Sequence, residues 1–133
     1  MIPIVFLLIL IFVIYKSIKI FFSYRPLSTE IFSIQLFFSM LFLYSILTIG
    51  FGLVYLILSM HGLILLEGME LHNMALWHRL AQSIYFSGVT LLTVGYGDIT
   101  PVGWARPIAL FEALIGYTLP AAFFMKAWHE KER

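Results

Sequence analysis

With 133 residues, the chain is long enough for one domain, and 62% of its residues are hydrophobic while only 11% are charged. This composition excludes an ordinary water-soluble domain, and a formal net charge of +1 gives no reason to expect nucleic-acid binding. The chain contains no cysteine, which excludes disulfides and thiolate metal sites. We therefore expect a small integral membrane protein of the all-α class.

The first predicted element is a membrane-spanning helix from Ile2 to about Tyr24. Spanning a bilayer as a helix takes about 20 mostly apolar residues. Here the first 15 residues carry no charged side chain, and an apolar stripe continues past Lys16 and Lys19, whose long side chains would extend to the lipid headgroups. An interfacial helix and a targeting segment stay open as alternatives, although no basic residue precedes the apolar core as in a secretory signal.

Two further segments are apolar enough to span a membrane. Residues 36–60 form a run of 25 without a charge, and residues 107–125 form a run of 19 in which Glu112 is the one exception. We assign an outer helix to residues 31–60 and an inner helix to residues 105–128. Three spans are expected in total, with residues 1–30 as an N-terminal helix and cytoplasmic link and residues 31–133 as the second unit.

The distribution of basic residues predicts the orientation of these spans. The first link and the C-terminal end hold most of them: Lys16, Lys19, Arg25, Lys126, Lys131 and Arg133. Because loops on the cytoplasmic side are enriched in lysine and arginine, we expect both regions in the cytoplasm and the N-terminus outside. The expected location is the plasma membrane, with lipid as a partner.

The connection between the second and third spans is too apolar for an ordinary external loop. Its first part, residues 61–76, is assigned as an exposed turret. Residues 77–91 have the apolar pattern of a helix that is too short to cross, so it should enter the outer half of the membrane and stop. The backbone that follows would lie at membrane depth, where it is tolerated only if protein buries it or if it lines a water-filled path.

The motif that follows this short helix is the most informative part of the sequence: Thr93-Val94-Gly95-Tyr96-Gly97-Asp98. Its glycines allow backbone φ values that ordinary residues resist. The motif resembles the selectivity filter of the potassium channel family, whose signature TVGYG coordinates dehydrated K⁺ through backbone carbonyls. The resemblance extends from about Leu36 to Trp128 and implies the two-span pore fold, here with an extra N-terminal helix.

The resemblance also implies roles for individual residues. The carbonyls of Thr93, Val94, Gly95 and Tyr96, with the Thr93 hydroxyl, would line the sites for permeant K⁺, and no other cofactor is implied. Gly97 and Asp98 would support the filter and form its outer mouth. Gly116 falls near the family's hinge glycine, and Pro120 lies four residues later, so the inner helix is expected to bend between them.

The sequence departs from the family pattern in several places. Many members carry a glutamate in the pore helix that pairs with the aspartate after the filter, but this chain has Val89 there. Leu92 stands where a small or hydroxylated residue is common. The sequence contains no domain for a small-molecule ligand and no arginine-rich sensor helix.

Several residues of the sequence allow two interpretations. Glu112 is expected to be a structural carboxylate that is hydrogen-bonded behind the filter to Ser87 or Thr90, and direct contact with ions is the alternative. For Gly116 the alternatives are a hinge and a close-packing site. The outer histidines, with Glu67 and Glu70 nearby, form either a metal site or a set of solvated side chains: His61, His72 and His78.

The predicted function is that of a potassium-selective channel. A filter ring is built from four loops and each chain supplies one, so a homotetramer with cyclic symmetry is expected. Two alternatives keep the same fold: a weakly selective cation channel, and a non-conducting accessory subunit. One module of a potassium transporter is a third alternative. No catalytic triad, acid–base pair or nucleotide fingerprint is present, so we do not expect an enzyme.

Overall fold

The computed structural model of the chain describes residues 2–23, 34–61, 65–67 and 75–131. In chain order the elements are α1 (Ile2–Ser23), α2 (Ile34–Met60), β1 (Leu65–Glu67), α3 (Leu76–Leu91), β2 (Thr100–Val102) and α4 (Ala105–Lys131). The predicted link up to residue 30 lies partly outside these ranges, as do most of the turret at residues 61–76 and the residues Glu70 and His72 within it.

Two helices in the described ranges are long and apolar enough to cross a membrane. They are Phe37–Met60 within α2 and Ala105–Met125 within α4. The helix α1 has 22 residues but does not belong to this pair, so its crossing of the membrane stays a prediction. It packs along α2, where the Ile14 side chain lies so close to Gly50 that an added Cβ would be 3.0 Å from it.

The core lies where α2, α3 and α4 meet. Ten hydrophobic residues form it: Leu43, Leu47, Phe51, Tyr55, Phe86, Leu91, Ile99, Ala105, Ala109 and Leu119. The backbones of α2 and α3 approach closely at Gly52, because a Cβ there would lie 2.9 Å from the Cα of Ile84. Small residues at such positions allow helices to pack in a membrane without a hydrophobic driving force. Both Gly50 and Gly52 are therefore packing residues.

A small antiparallel sheet joins the turret to the segment after α3. Its register pairs Leu65 with Val102, Leu66 with Pro101 and Glu67 with Thr100. Pro101 has no N–H to donate, which a two-stranded sheet tolerates because each strand is an edge. Among the residues that the structure describes, the predicted all-α class holds apart from this sheet, which was not expected because three-residue strands carry no usable periodicity.

Candidate functional site

The helix α3 delivers the filter segment (residues 93–98) to the end of the core. It ends at Leu91, and the N–H groups of Leu92 and Thr93 still bond to carbonyls in its last turns, at 3.0 Å to Gly88 and 3.0 Å to Thr90. Leu91 itself is completely buried. The start of the filter segment is therefore fixed by the C-terminal end of this helix.

In the filter segment φ is positive at every second residue from 93 to 97. Thr93, Gly95 and Gly97 have φ values of +57°, +57° and +80°, whereas Val94 and Tyr96 have ordinary negative values. In a normal strand successive peptide groups point to opposite sides. An alternation of left- and right-handed residues instead turns successive carbonyls toward one side. This conformation strains the backbone of Thr93 by about 1–3 kcal/mol, a cost that a glycine would not have.

The N–H groups at the start of the filter segment point away from that side. Val94 and Gly95 both donate to the carbonyl of Val89, at 2.9 Å and 3.1 Å. Within the described residues, no backbone N–H donates to a carbonyl of residues 93–97. These carbonyls are consequently free to accept a cation. The C-terminal end of α3 adds partial negative charge beside them, which also favours a cation.

Tyr85 holds the residue that closes the filter segment. Its hydroxyl donates to Oδ2 of Asp98 at 2.8 Å, while Oδ1 of Asp98 accepts the N–H of Ile99 at 3.0 Å. The hydrogen bond to Asp98 raises the pKa of Tyr85 above its ordinary value of 10.0, so the phenol stays protonated and remains a donor. Tyr85 lies one helical turn before Val89, on the same face of α3, and supplies a partner for Asp98 in a chain where Val89 replaces the glutamate of many family members.

Glu112 is completely buried between α2, α3 and α4. Its Oε1 accepts the Ser87 hydroxyl at 2.5 Å, and its Oε2 accepts the Tyr55 hydroxyl at 2.7 Å. The Tyr55 ring also packs edge-on against Phe86, with ring centroids 5.0 Å apart. Ser87 was one of the two expected partners, whereas Tyr55 was not foreseen. One carboxylate thus connects α4 to both α2 and α3.

Gly116 lies at the closest approach of α4 to the end of α3. A Cβ built there would overlap the carbonyl oxygen of Leu91 and would lie 2.7 Å from its carbonyl carbon. The carbonyl of Gly116 accepts the Tyr44 hydroxyl at 2.9 Å. Pro120 lies inside α4. The structure thus gives Gly116 a close-packing role, and the hinge at Gly116 and Pro120 stays a prediction.

The outer histidines do not form a metal site in the part of the chain that the structure describes. No group of three potential ligands occurs there, and His61 uses Nδ1 in a hydrogen bond to the carbonyl of Ile57, at 2.8 Å. His72 lies outside the described ranges.

We expect the hydrogen bonds of Glu112 to contribute measurably to the free energy of unfolding. Glu112→Leu leaves the Tyr55 and Ser87 hydroxyls buried without an acceptor, at a cost of about 1–3 kcal/mol for each. Chemical denaturation of the purified protein in detergent should therefore show a lower free energy of unfolding. Glu112→Gln is the matched control, since an amide can pair with both hydroxyls, and it should lose much less. Equal stability of the leucine variant and the original protein would contradict this role.

Comparison with known proteins assigns the chain to a family. The chain matches the family described as ion channel over residues 53–128, more than half of its length. It is similar to protein LctB of Geobacillus stearothermophilus, with 40% identity over 93 residues that cover 68% of each chain. Protein LctB of Bacillus caldotenax is 44% identical over 81 residues, so the match spans 59% of that relative's length. No solved structure matches the chain.

Proposed function

This chain belongs to the ion channel family, and we propose that it forms a potassium-selective channel through which K⁺ moves passively across a membrane. The observation that carries the proposal is the alternating sign of φ at residues 93–97 within the sequence TVGYGD. This backbone presents a row of unpaired carbonyls, which is how a potassium filter replaces the water shell of its ion.

In this proposal the carbonyls of Thr93, Val94, Gly95 and Tyr96 coordinate K⁺ in turn. The Thr93 hydroxyl adds a ligand at the inner end, and Asp98 attracts cations at the outer mouth. Gly97 supplies the last positive φ of the row, +80°. Glu112 takes no part in ion contact, because both of its oxygens are occupied by hydroxyls at 2.5 Å and 2.7 Å.

The working unit we propose is a homotetramer. A ring of carbonyls needs four filter segments, and each chain supplies one. In the single chain Tyr96 is 72% exposed and Tyr117 on α4 is 75% exposed. In the proposed tetramer neighbouring chains would cover both side chains, and cyclic symmetry would place the four segments around one axis.

The proposal also includes the topology. α1 is a third span beside α2, the N-terminus faces outside, and the end of α4 faces the cytoplasm of a cell whose plasma membrane holds the channel. The close contact of Ile14 with Gly50 supports the pairing of α1 with α2. In this arrangement α3 enters from the outer side and its C-terminal end points toward the membrane centre.

A flux assay on the purified chain in liposomes tests the proposal. We expect K⁺ to move down its gradient, Na⁺ to be largely excluded, and Ba²⁺, which is close in size to K⁺ but doubly charged, to block the flux. Comparable K⁺ and Na⁺ fluxes would overturn selectivity and favour a weakly selective cation channel. Binding of K⁺ without flux would overturn conduction and favour an accessory subunit.

A further inference from the structure

The carbonyl of Gly116, in the interior of α4, has no backbone donor four residues later in its own helix. The carbonyl of residue i in an α-helix accepts the N–H of residue i+4. For Gly116 that residue is Pro120, which has no N–H and whose ring pushes against the preceding turn. Gly116 lies within the apolar stretch Ala105–Met125, where a buried carbonyl without a donor is costly.

Tyr44 on α2 provides the donor that the helix lacks. Its hydroxyl lies 2.9 Å from the carbonyl oxygen of Gly116, although the two residues are 72 positions apart. The ring of Tyr44 packs against the hydrophobic core, which limits the positions that the hydroxyl can take. A side chain of another helix thus completes the backbone hydrogen bonding of α4.

We propose that the Tyr44 hydroxyl takes the place of the absent Pro120 N–H and thereby positions the part of α4 that follows Gly116. Tyr44 is a positioning residue, since its hydroxyl donates to a carbonyl of α4 rather than to one of the filter segment. The consequence for conduction rests on the proposed channel function, whereas the consequence for the helix does not.

The local contacts explain why this one hydrogen bond can affect the position of α4. Gly116 touches the carbonyl of Leu91, the last residue of α3, so its position is coupled to the start of the filter segment. The Thr118 hydroxyl bonds to the carbonyls of Leu114 and Ile115, at 2.9 Å and 3.1 Å. Such bonds from a side chain to the preceding turn bend helices. Three successive carbonyls of α4 therefore accept hydroxyl groups at the point where the proline interrupts the helix.

A double-mutant cycle separates this role from a general packing role. Tyr44→Phe removes only the hydroxyl, and Pro120→Ala restores an N–H that can pair with Gly116. We expect Tyr44→Phe to change the ratio of open to closed channels in planar bilayers by about 3-fold to 20-fold for each subunit, the range of one hydrogen bond between membrane helices. In the Pro120→Ala background the same substitution should have no further effect.

A second readout does not need conduction. Because the chain has no cysteine, Met125→Cys gives each subunit a single attachment point for a spin label, on an exposed residue beyond Pro120. Distances between labels in the assembly report the position of the end of α4. Tyr44→Phe should shift or broaden the distance distribution, and Pro120→Ala should remove that effect. Ser45→Ala is the matched control, since its hydroxyl bonds to Leu41 within α2 itself, at 2.9 Å.

The outcomes are distinct. Unchanged distances in Tyr44→Phe, or the same change with and without Pro120, would overturn the proposal. If Tyr44→Phe does not fold, recovery by Pro120→Ala supports the proposal and a failure to recover overturns it. A chain that conducts no ions but shows the expected distance cycle would retain the role of Tyr44, while the proposed channel function would fall.

Discussion

Gly95→Ala is expected to abolish selectivity for K⁺ over Na⁺. Gly95 has a φ of +57°, a region that costs an alanine about 1–2 kcal/mol. In a ring of four chains this adds up to about 4–8 kcal/mol. That is enough to shift residue 95 to an ordinary negative φ and to reorient the peptide groups beside it. The carbonyls would then leave the pore axis. The permeability ratio of K⁺ to Na⁺, measured from reversal potentials in planar bilayers, should fall to about one, or conduction should stop.

The chain offers a closely matched control for this substitution. Gly103 has a φ of +58°, and among the described residues only the adjacent ones come within 4 Å of the place where a Cβ would stand at either glycine. Gly103→Ala therefore introduces the same local strain outside the filter segment, and we expect it to keep its selectivity. Unchanged selectivity in Gly95→Ala, or an equal loss in both variants, would contradict the role of the filter segment.

Gly116→Ala is expected to have the second large effect, on assembly. The new methyl group would overlap the carbonyl oxygen of Leu91, and this neighbour is backbone at the end of a buried helix rather than a movable side chain. Relief would require α4 and α3 to separate, which would break the contacts of Glu112 and displace the start of the filter segment. We expect little or no assembled protein in size-exclusion chromatography.

Gly88→Ala is the control for this substitution. Gly88 also lies inside a helix, but a Cβ there would meet only the Thr48 side chain, at 3.5 Å, an ordinary contact. Alanine is favoured over glycine in a helix interior by about 0.5–1 kcal/mol, so this variant should assemble as well as the original chain. Normal assembly of Gly116→Ala would show that α4 and α3 are not held together at this contact.

The features that could be predicted from the sequence are those encoded in short stretches of chain. Long apolar runs revealed α2 and α4, because a membrane span needs about 20 mostly apolar residues. The filter segment was identifiable because its six residues follow one another in the sequence. Glu112 stood out because an ionisable residue is costly inside a span.

The features that could not be predicted depend on how distant helices are placed against each other. Tyr55 lies 57 positions from Glu112, and Tyr44 lies 72 positions from Gly116. Tyrosines are common in a chain that contains 7 of them, so neither one is conspicuous before the arrangement of α2 is known. The same applies to Gly116, for which the sequence allowed both a hinge and a packing contact.

The contacts that shape the filter segment have a consequence for biosynthesis. The carbonyl of Val89 and the hydroxyl of Tyr85, which fix its two ends, belong to the same chain as the segment itself. The hydrogen bonds of Glu112 to Ser87 on α3 and Tyr55 on α2 also lie within one chain. A newly made chain can therefore shape its own segment before it meets another copy. If the chain assembles as proposed, association in the plane of the bilayer would join segments that each chain has shaped by itself, with folding first and association second.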